Sequence, residues 1–204
     1  PQPPRPRAGR AGRSAPVAPR QGDWTPSCAI CVLQPGVFYG YRGPQITSQR
    51  PLGYDAPLLW IPHAVDNSSG SQVWVPKGQW GPLGGQLLHL LWGRCGLMLT
   101  LRDVVDGTPQ GAVVPLPGKF LSGPLRGTFN PRDGHLYVAG SPGWHTSALQ
   151  DGAFPRVRFT GQPVALPLAS QSHTHGLSMT LCPPPEPPHT VEPAGSRLPP
   201  CTPP

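Results

Sequence analysis

Short apolar runs recur along this chain, separated by Gly, Pro, Asp and Asn. The clearest are residues 58–61, 72–75, 86–92, 96–101, 112–114, 135–138, 164–168 and 177–181. Within 96–101, Leu97, Leu99 and Leu101 alternate with Met98 and Thr100, the period of a strand with two distinct faces. Val157 and Phe159 alternate with Arg156, Arg158 and Thr160, which predicts a half-exposed strand. Asp106-Gly107 and Asp133-Gly134 are tight-turn dipeptides between apolar runs. Residues 86–92 are apolar enough for a helix, but Gly84-Gly85 and Gly93 bracket them too closely. The pattern predicts about nine or ten short strands at roughly 8–12-residue spacing, an all-β chain of the sandwich or propeller kind.

Composition divides the chain in three. Of 204 residues, 33 are Pro and 26 are Gly, a fraction typical of disordered chains if it were spread evenly. It is not spread evenly. Residues 1–20 hold six Pro and five Arg with no acid, and residues 182–204 hold ten Pro. Residues 21–181 keep all six Trp, four Tyr and five Phe. The expectation is a β domain over 21–181 between disordered Pro-rich tails at 1–20 and 182–204, since the tails lack apolar surface to offset chain entropy. The same proline density excludes a coiled coil, and no apolar run approaches the roughly 20 residues of a membrane span.

Net charge is +7, and the first 20 residues carry most of it. Their Arg residues are interleaved with Pro, Ala and Gly, without aromatics for base stacking, so nucleic-acid binding is not expected. Five cysteines give no closed disulfide framework. Cys28 and Cys31 have CxxC spacing, read as a local disulfide or two reduced thiols. Val32 follows them, so the haem-attachment pattern CxxCH is absent, and no second CxxC completes a zinc site. Residues 21–181 contain no Glu, and the chain carries no Walker loop, GxGxxG fingerprint or Ser/His/Asp constellation.

Several stretches together resemble one family. They are Phe38-Tyr39-Gly40-Tyr41, the run 57–74, the run 80–90, the block 127–140 with its Asn130-Pro131-Arg132-Asp133-Gly134-His135-Leu136-Tyr137-Val138, Gly143-Trp144 and the run 154–161. Over about residues 22–181 the chain resembles the later blades of bacterial quinoprotein-type β-propellers, similar to glucose/sorbosone dehydrogenases in large secreted proteins that carry cytochrome-c-like haem domains. The resemblance implies a periplasmic or secreted location and redox chemistry on sugars or alcohols. It also implies that PQQ, Ca²⁺ or haem serves the full-length parent, with the rest of the propeller and a haem domain as partners. At roughly 40–50 residues per blade, this segment makes an incomplete propeller of roughly three blades. No catalytic residue is carried over. The chain opens on Pro rather than Met and turns to a proline run after Leu181, so a fragment, or a frameshift near residue 181, is expected.

Candidate site residues follow from residue type. His63, Asp66, Asn67 and Ser68 lie on a loop between two apolar runs, where ligands bind on β scaffolds. Asp66 and Asn67 offer oxygens to a hard cation such as Ca²⁺, but an Asx-type turn alone demands the same residue types and is the preferred reading. Asn67-Ser68-Ser69 matches a glycosylation sequon. His173 and His175 would share one face of a strand if the segment is one, with Cys182 as the nearest further metal ligand; for want of a third ligand the preferred reading is a solvated pair of loop histidines. Trp60, Trp74, Trp80, Trp92 and Trp144 are candidates for a sugar platform or for packing between sheets. Asp133-Gly134 is read as a turn alone.

Three functional readings compete. The first is a fragment of a secreted quinoprotein-like propeller, inactive alone. The second is a non-catalytic module that binds carbohydrate or protein. The third is a truncated product without function.

Overall fold

A computed structural model describes residues 15–19, 27–40, 53–142, 146–162 and 165–182. These form twelve strands: β1 (Pro16–Val17), β2 (Cys28–Val32), β3 (Leu59–Ile61), β4 (Ser69–Trp74), β5 (Leu87–Leu91), β6 (Gly96–Val105), β7 (Thr108–Pro115), β8 (Gly123–Phe129), β9 (Leu136–Ser141), β10 (Arg156–Val157), β11 (Leu166–His173) and β12 (Gly176–Cys182). A single 3₁₀ turn, Gly81–Leu83, is the one helical element among the described residues. No helix of the described residues is long and apolar enough to cross a membrane. The all-β expectation holds.

The strands fall into four antiparallel sheets, β1-β2-β3, β4-β5-β6-β7, β8-β9-β10 and β11-β12, each in chain order, and none closes on itself. The β6–β7 hairpin turns through Asp106-Gly107, both at positive φ (48° and 78°). That backbone twist matches the strands it joins, which is why the Asp-Gly pair marks the turn. Eight residues of each strand pair below it, from Val105↔Thr108 to Met98↔Pro115.

The four-stranded sheet is covered on both faces. Along β5 every residue is buried, as a strand with apolar residues at nearly every position requires. Leu88 and Leu90 join Leu97, Leu99 and Leu101 of β6 against Leu136 and Val138 of β9. The other face carries Leu87, His89 and Leu91, paired with Thr100, Met98 and Gly96. Val113, opposite Thr100, packs there against a second core of Cys28, Ile30, Leu58, Leu59 and Ile61. Sheets β1-β2-β3 and β8-β9-β10 therefore lie on opposite faces of the four-stranded sheet. The approach is close: a Cβ at Gly70 of β4 would stand 2.5 Å from the Pro124 carbonyl oxygen of β8.

Three features depart from the sequence reading. Pro16–Val17, inside the segment expected to be a tail, pairs with Cys31 and Val32 of β2. Proline is tolerated there because β1 is an edge strand and needs no inward N–H at that residue. Strands β2 and β8 were not expected, because their Cys, Pro and Gly read as a thiol motif and as loop. Leu181 and Cys182 belong to β12, so the strand crosses the predicted boundary at 181. The remaining tail residues, 1–14, 20 and 183–204, lie outside the described residues.

Candidate functional site

Two places gather polar side chains, and they differ in access to solvent. The first is built by the loop after β3. Asp66 is 0 % exposed, and its carboxylate accepts from the Ser68 N–H (3.1 Å), the Ser69 hydroxyl (2.9 Å) and His89 Nε2 (3.0 Å). The Ser68 bond, two residues on, is the Asx turn that these residue types favour. His89, also 0 % exposed, meets Gln72 Nε2 through its Nδ1 at 2.9 Å. Gln72 and His89 are a directly opposed cross-strand pair of β4 and β5. The resulting line Gln72–His89–Asp66–Ser69 ties the loop to the centre of the four-stranded sheet. Buried polar groups of this kind are stable only when partnered, and each here has a partner.

The four loop residues singled out from the sequence are not presented as one set. His63 is exposed, Asp66 is buried, and Asn67 and Ser68 are half-buried. Asn67 sits against Gly93, where an added Cβ would fall 2.0 Å from its Oδ1. The Asp66 carboxylate is thus engaged by three protein donors and serves the turn itself. Among the described residues no group of three His, Cys, Asp or Glu side chains stands ready for a metal. His89 escaped the sequence reading because it sits inside an apolar run; its position opposite Gln72 was the missing signal.

The second place is open. Trp80 occupies the left-handed region (φ 57°, ψ 32°) just before the 3₁₀ turn. A bulky residue there is uncommon and costs about 1 kcal/mol or more. Its indole donates to the Gly134 carbonyl at 3.0 Å. Its ring meets Phe129 edge-on at 5.0 Å and stacks with Phe159 at 6.5 Å and 20°. Phe159 remains 36 % exposed. Around these rings Gln79, Pro131, Arg132, Asp133, Gly134 and His135 complete a cleft of about 370 Å³.

The 130–137 loop that forms one wall is held by its own polar groups. Asp133 accepts from the His135 N–H (2.9 Å), Asn130 Nδ2 (3.0 Å) and the Tyr137 hydroxyl (2.8 Å). Asn130 Oδ1 accepts from the Arg132 N–H at 3.0 Å. The His135 N–H, with the smaller contributions of Tyr137, the His135 side chain and Asn130, holds the Asp133 carboxyl below its ordinary range. Asp133-Gly134 is thus a turn, as read, and its carboxylate also pins Tyr137.

The remaining candidates are scattered. His173 ends β11 and bonds Ser178 Oγ at 2.8 Å, whereas His175 lies in the β11–β12 turn. The conditional reading of a shared strand face is corrected, since the chain reverses between them, and both side chains are exposed. Cys28 and Cys31 are both buried thiols within β2. Three residues apart on one strand, they are roughly 10 Å apart and point to opposite faces, so of the two sequence readings the reduced thiols fit. Burial pushes the Cys31 thiol up to about 11. Trp60 is partly exposed and edge-on to Tyr54 at 5.9 Å, Trp74 lies under the Arg102 guanidinium at 4.5 Å, and Trp92 donates to Ser141 Oγ at 3.1 Å. They form no common platform, and Trp144 lies outside the described residues.

No family model matches the chain, and no curated protein or solved structure matches it.

Proposed function

We propose that this chain is a non-catalytic β-sheet module that binds carbohydrate in the cleft between Trp80, Phe159 and the 131–135 loop. The observation that carries this reading is the composition of that cleft. A sugar ring offers an apolar C–H face and a rim of hydroxyls. The cleft offers a half-exposed phenyl face beside a carboxylate, a guanidinium, an imidazole and an amide. Those groups accept and donate in the pattern that hydroxyl pairs need. The loop that carries them is braced by Asn130, Asp133 and Tyr137, so little ordering is left to the binding step. The one buried His–carboxylate pair among the described residues, His89–Asp66, is sealed from solvent and holds structure rather than substrate.

The test is a glycan array followed by calorimetric titration of the best hit. Binding that weakens at least tenfold in Phe159→Ala and in Arg132→Ala is expected. No binding to any glycan overturns the reading.

The sheet order favours a second reading. Successive antiparallel meanders stacked face to face are the arrangement of neighbouring propeller blades. On this reading the chain is a portion, roughly three blades, of a secreted or periplasmic quinoprotein-type propeller. The rest of the propeller and a haem domain are then its partners, and PQQ and Ca²⁺ belong to the parent. Reconstitution with PQQ and Ca²⁺ followed by sugar-dependent dye reduction tests it. The full-length parent reduces dye and this chain alone does not; turnover by this chain alone refutes its inactivity.

A further inference from the structure

We infer that β12 is a self-pairing edge, through which two copies of this chain join antiparallel into one four-stranded sheet, β11-β12 of one copy continuing into β12-β11 of the other. The inference is independent of the carbohydrate reading.

An unpaired strand edge offers a row of free N–H and C=O groups, and proteins normally blunt such edges with proline, charge, short length or cover. The other sheet edges among the described residues are blunted. Strand β7 carries Pro109 and Pro115, β8 carries Pro124 and β11 carries Pro167. Strands β1 and β10 are two residues long and β3 is three. Strand β4 is packed against β8 at Gly70. Strand β12 has none of these devices. Its seven residues, Gly176 to Cys182, include no proline and no Asp, Glu, Lys or Arg, and all but the last are exposed. Among the described residues it pairs with β11 on one side only.

The sequence of β12 is complementary to itself. An antiparallel two-fold centred on Met179 sets Met179 against Met179, Leu177 against Leu181 and Ser178 against Thr180. Side chains alternate between faces, so the three apolar residues of each copy gather on one face and the hydroxyls on the other. Leu177 and Met179 are 61 % and 57 % exposed in the single copy and gain most from that burial. No residue of β12 itself carries a charge to oppose the pairing. The chain's own continuation is a poor substitute, because ten of its 22 residues from 183 to 204 are Pro and lack the N–H a ladder requires.

Sedimentation velocity of the full chain over a range of concentrations tests the inference. A reversible dimer is expected, and Met179→Lys, which places two like charges directly opposite, weakens it at least tenfold. Val104→Lys, at an equally exposed position on the β6–β7 hairpin, leaves the dimer unchanged. In a Cys182→Ser, Cys201→Ser background, Met179→Cys cross-links across the two-fold under mild oxidation, while Leu177→Cys, whose mate is Leu181, does not. A chain that stays monomeric at every concentration overturns the inference. So does a dimer indifferent to Met179→Lys, or equal cross-linking of the two cysteine variants.

Discussion

Strands β6 and β12 carry the same alternation and meet opposite fates. In β6, Leu97, Leu99 and Leu101 face a layer formed by β9, while Met98 and Thr100 face the layer on the other side. In β12, Leu177, Met179 and Leu181 repeat the spacing of two, yet all three remain exposed. The difference lies in neighbours rather than in sequence. Strand β6 has β5 and β7 as ladder partners and a sheet over each face; among the described residues β12 has β11 alone. Alternation therefore specifies a strand with two faces, and burial is decided by what the rest of the chain brings to each face.

Truncation tests that contrast most strongly. Leu99 is fully buried, so Leu99→Ala should lose about 3 kcal/mol of stability through lost transfer energy and an unfilled cavity. Leu177→Ala, at a concentration where the chain is monomeric, should change stability by no more than about 0.5 kcal/mol. Urea denaturation of both variants measures the difference, and equal losses would show that β12 is buried after all.

Asp66→Asn acts on the same sheet through polarity rather than volume. The amide keeps one acceptor but loses the charge that serves Ser69 and His89 together. Destabilisation of about 2 kcal/mol is expected, since hydrogen bonds to charged groups are the stronger ones and the buried partners have no water to turn to. A neutral result by thermal melting would mean that the Gln72–His89–Asp66 line is not what fixes the loop.

How far this was legible in the sequence follows from what pattern reading can see. The β4 to β7 meander was readable because apolar runs, the Asp106-Gly107 turn and the flanking glycines agree. Strand β2 was hidden because Cys28-Ala29-Ile30-Cys31 reads as a thiol motif, and β8 because Gly123, Pro124 and Gly127 read as loop. Asp66 was visible as a turn former, but its burial was not. That depends on His89, 23 residues later, standing opposite Gln72 across a ladder whose register no local pattern fixes. The Trp80 cleft was missed for the same reason: its walls come from residues 79–80, 131–135 and 159. Which strand would lack a partner was likewise a question of topology.

A smaller effect separates the two hairpins. Gly107 sits at φ 78° with open space around its Cβ position, so Gly107→Ala meets strain but no clash. A cost of about 1 kcal/mol is expected from the left-handed backbone alone. No loss in a denaturation measurement would mean that the β6–β7 turn can relax to another type without disturbing its eight-residue ladder.

The smallest expected effect concerns the cleft loop, whose polar groups are paired within the loop itself. Strand β12 has no second ladder partner among the described residues, whereas the 130–137 loop is braced by three donors on one carboxylate. Those donors favour the ionised form, so the Asp133 carboxyl titrates below its ordinary value of 3.8. A depressed folded value means that the bracing is fully present above the unfolded pKa and is lost as pH falls through the folded one. Between neutral pH and about pH 5 the loop contribution to stability is then flat, and it declines only below about pH 4. Amide exchange of His135, whose N–H bonds the carboxylate, should accelerate relative to its pH-corrected intrinsic rate in that acid range. In Asp133→Asn it should be fast at every pH. Protection that persists unchanged in Asp133→Asn would show that the turn geometry at Gly134, rather than the carboxylate, holds the loop and the cleft wall it forms.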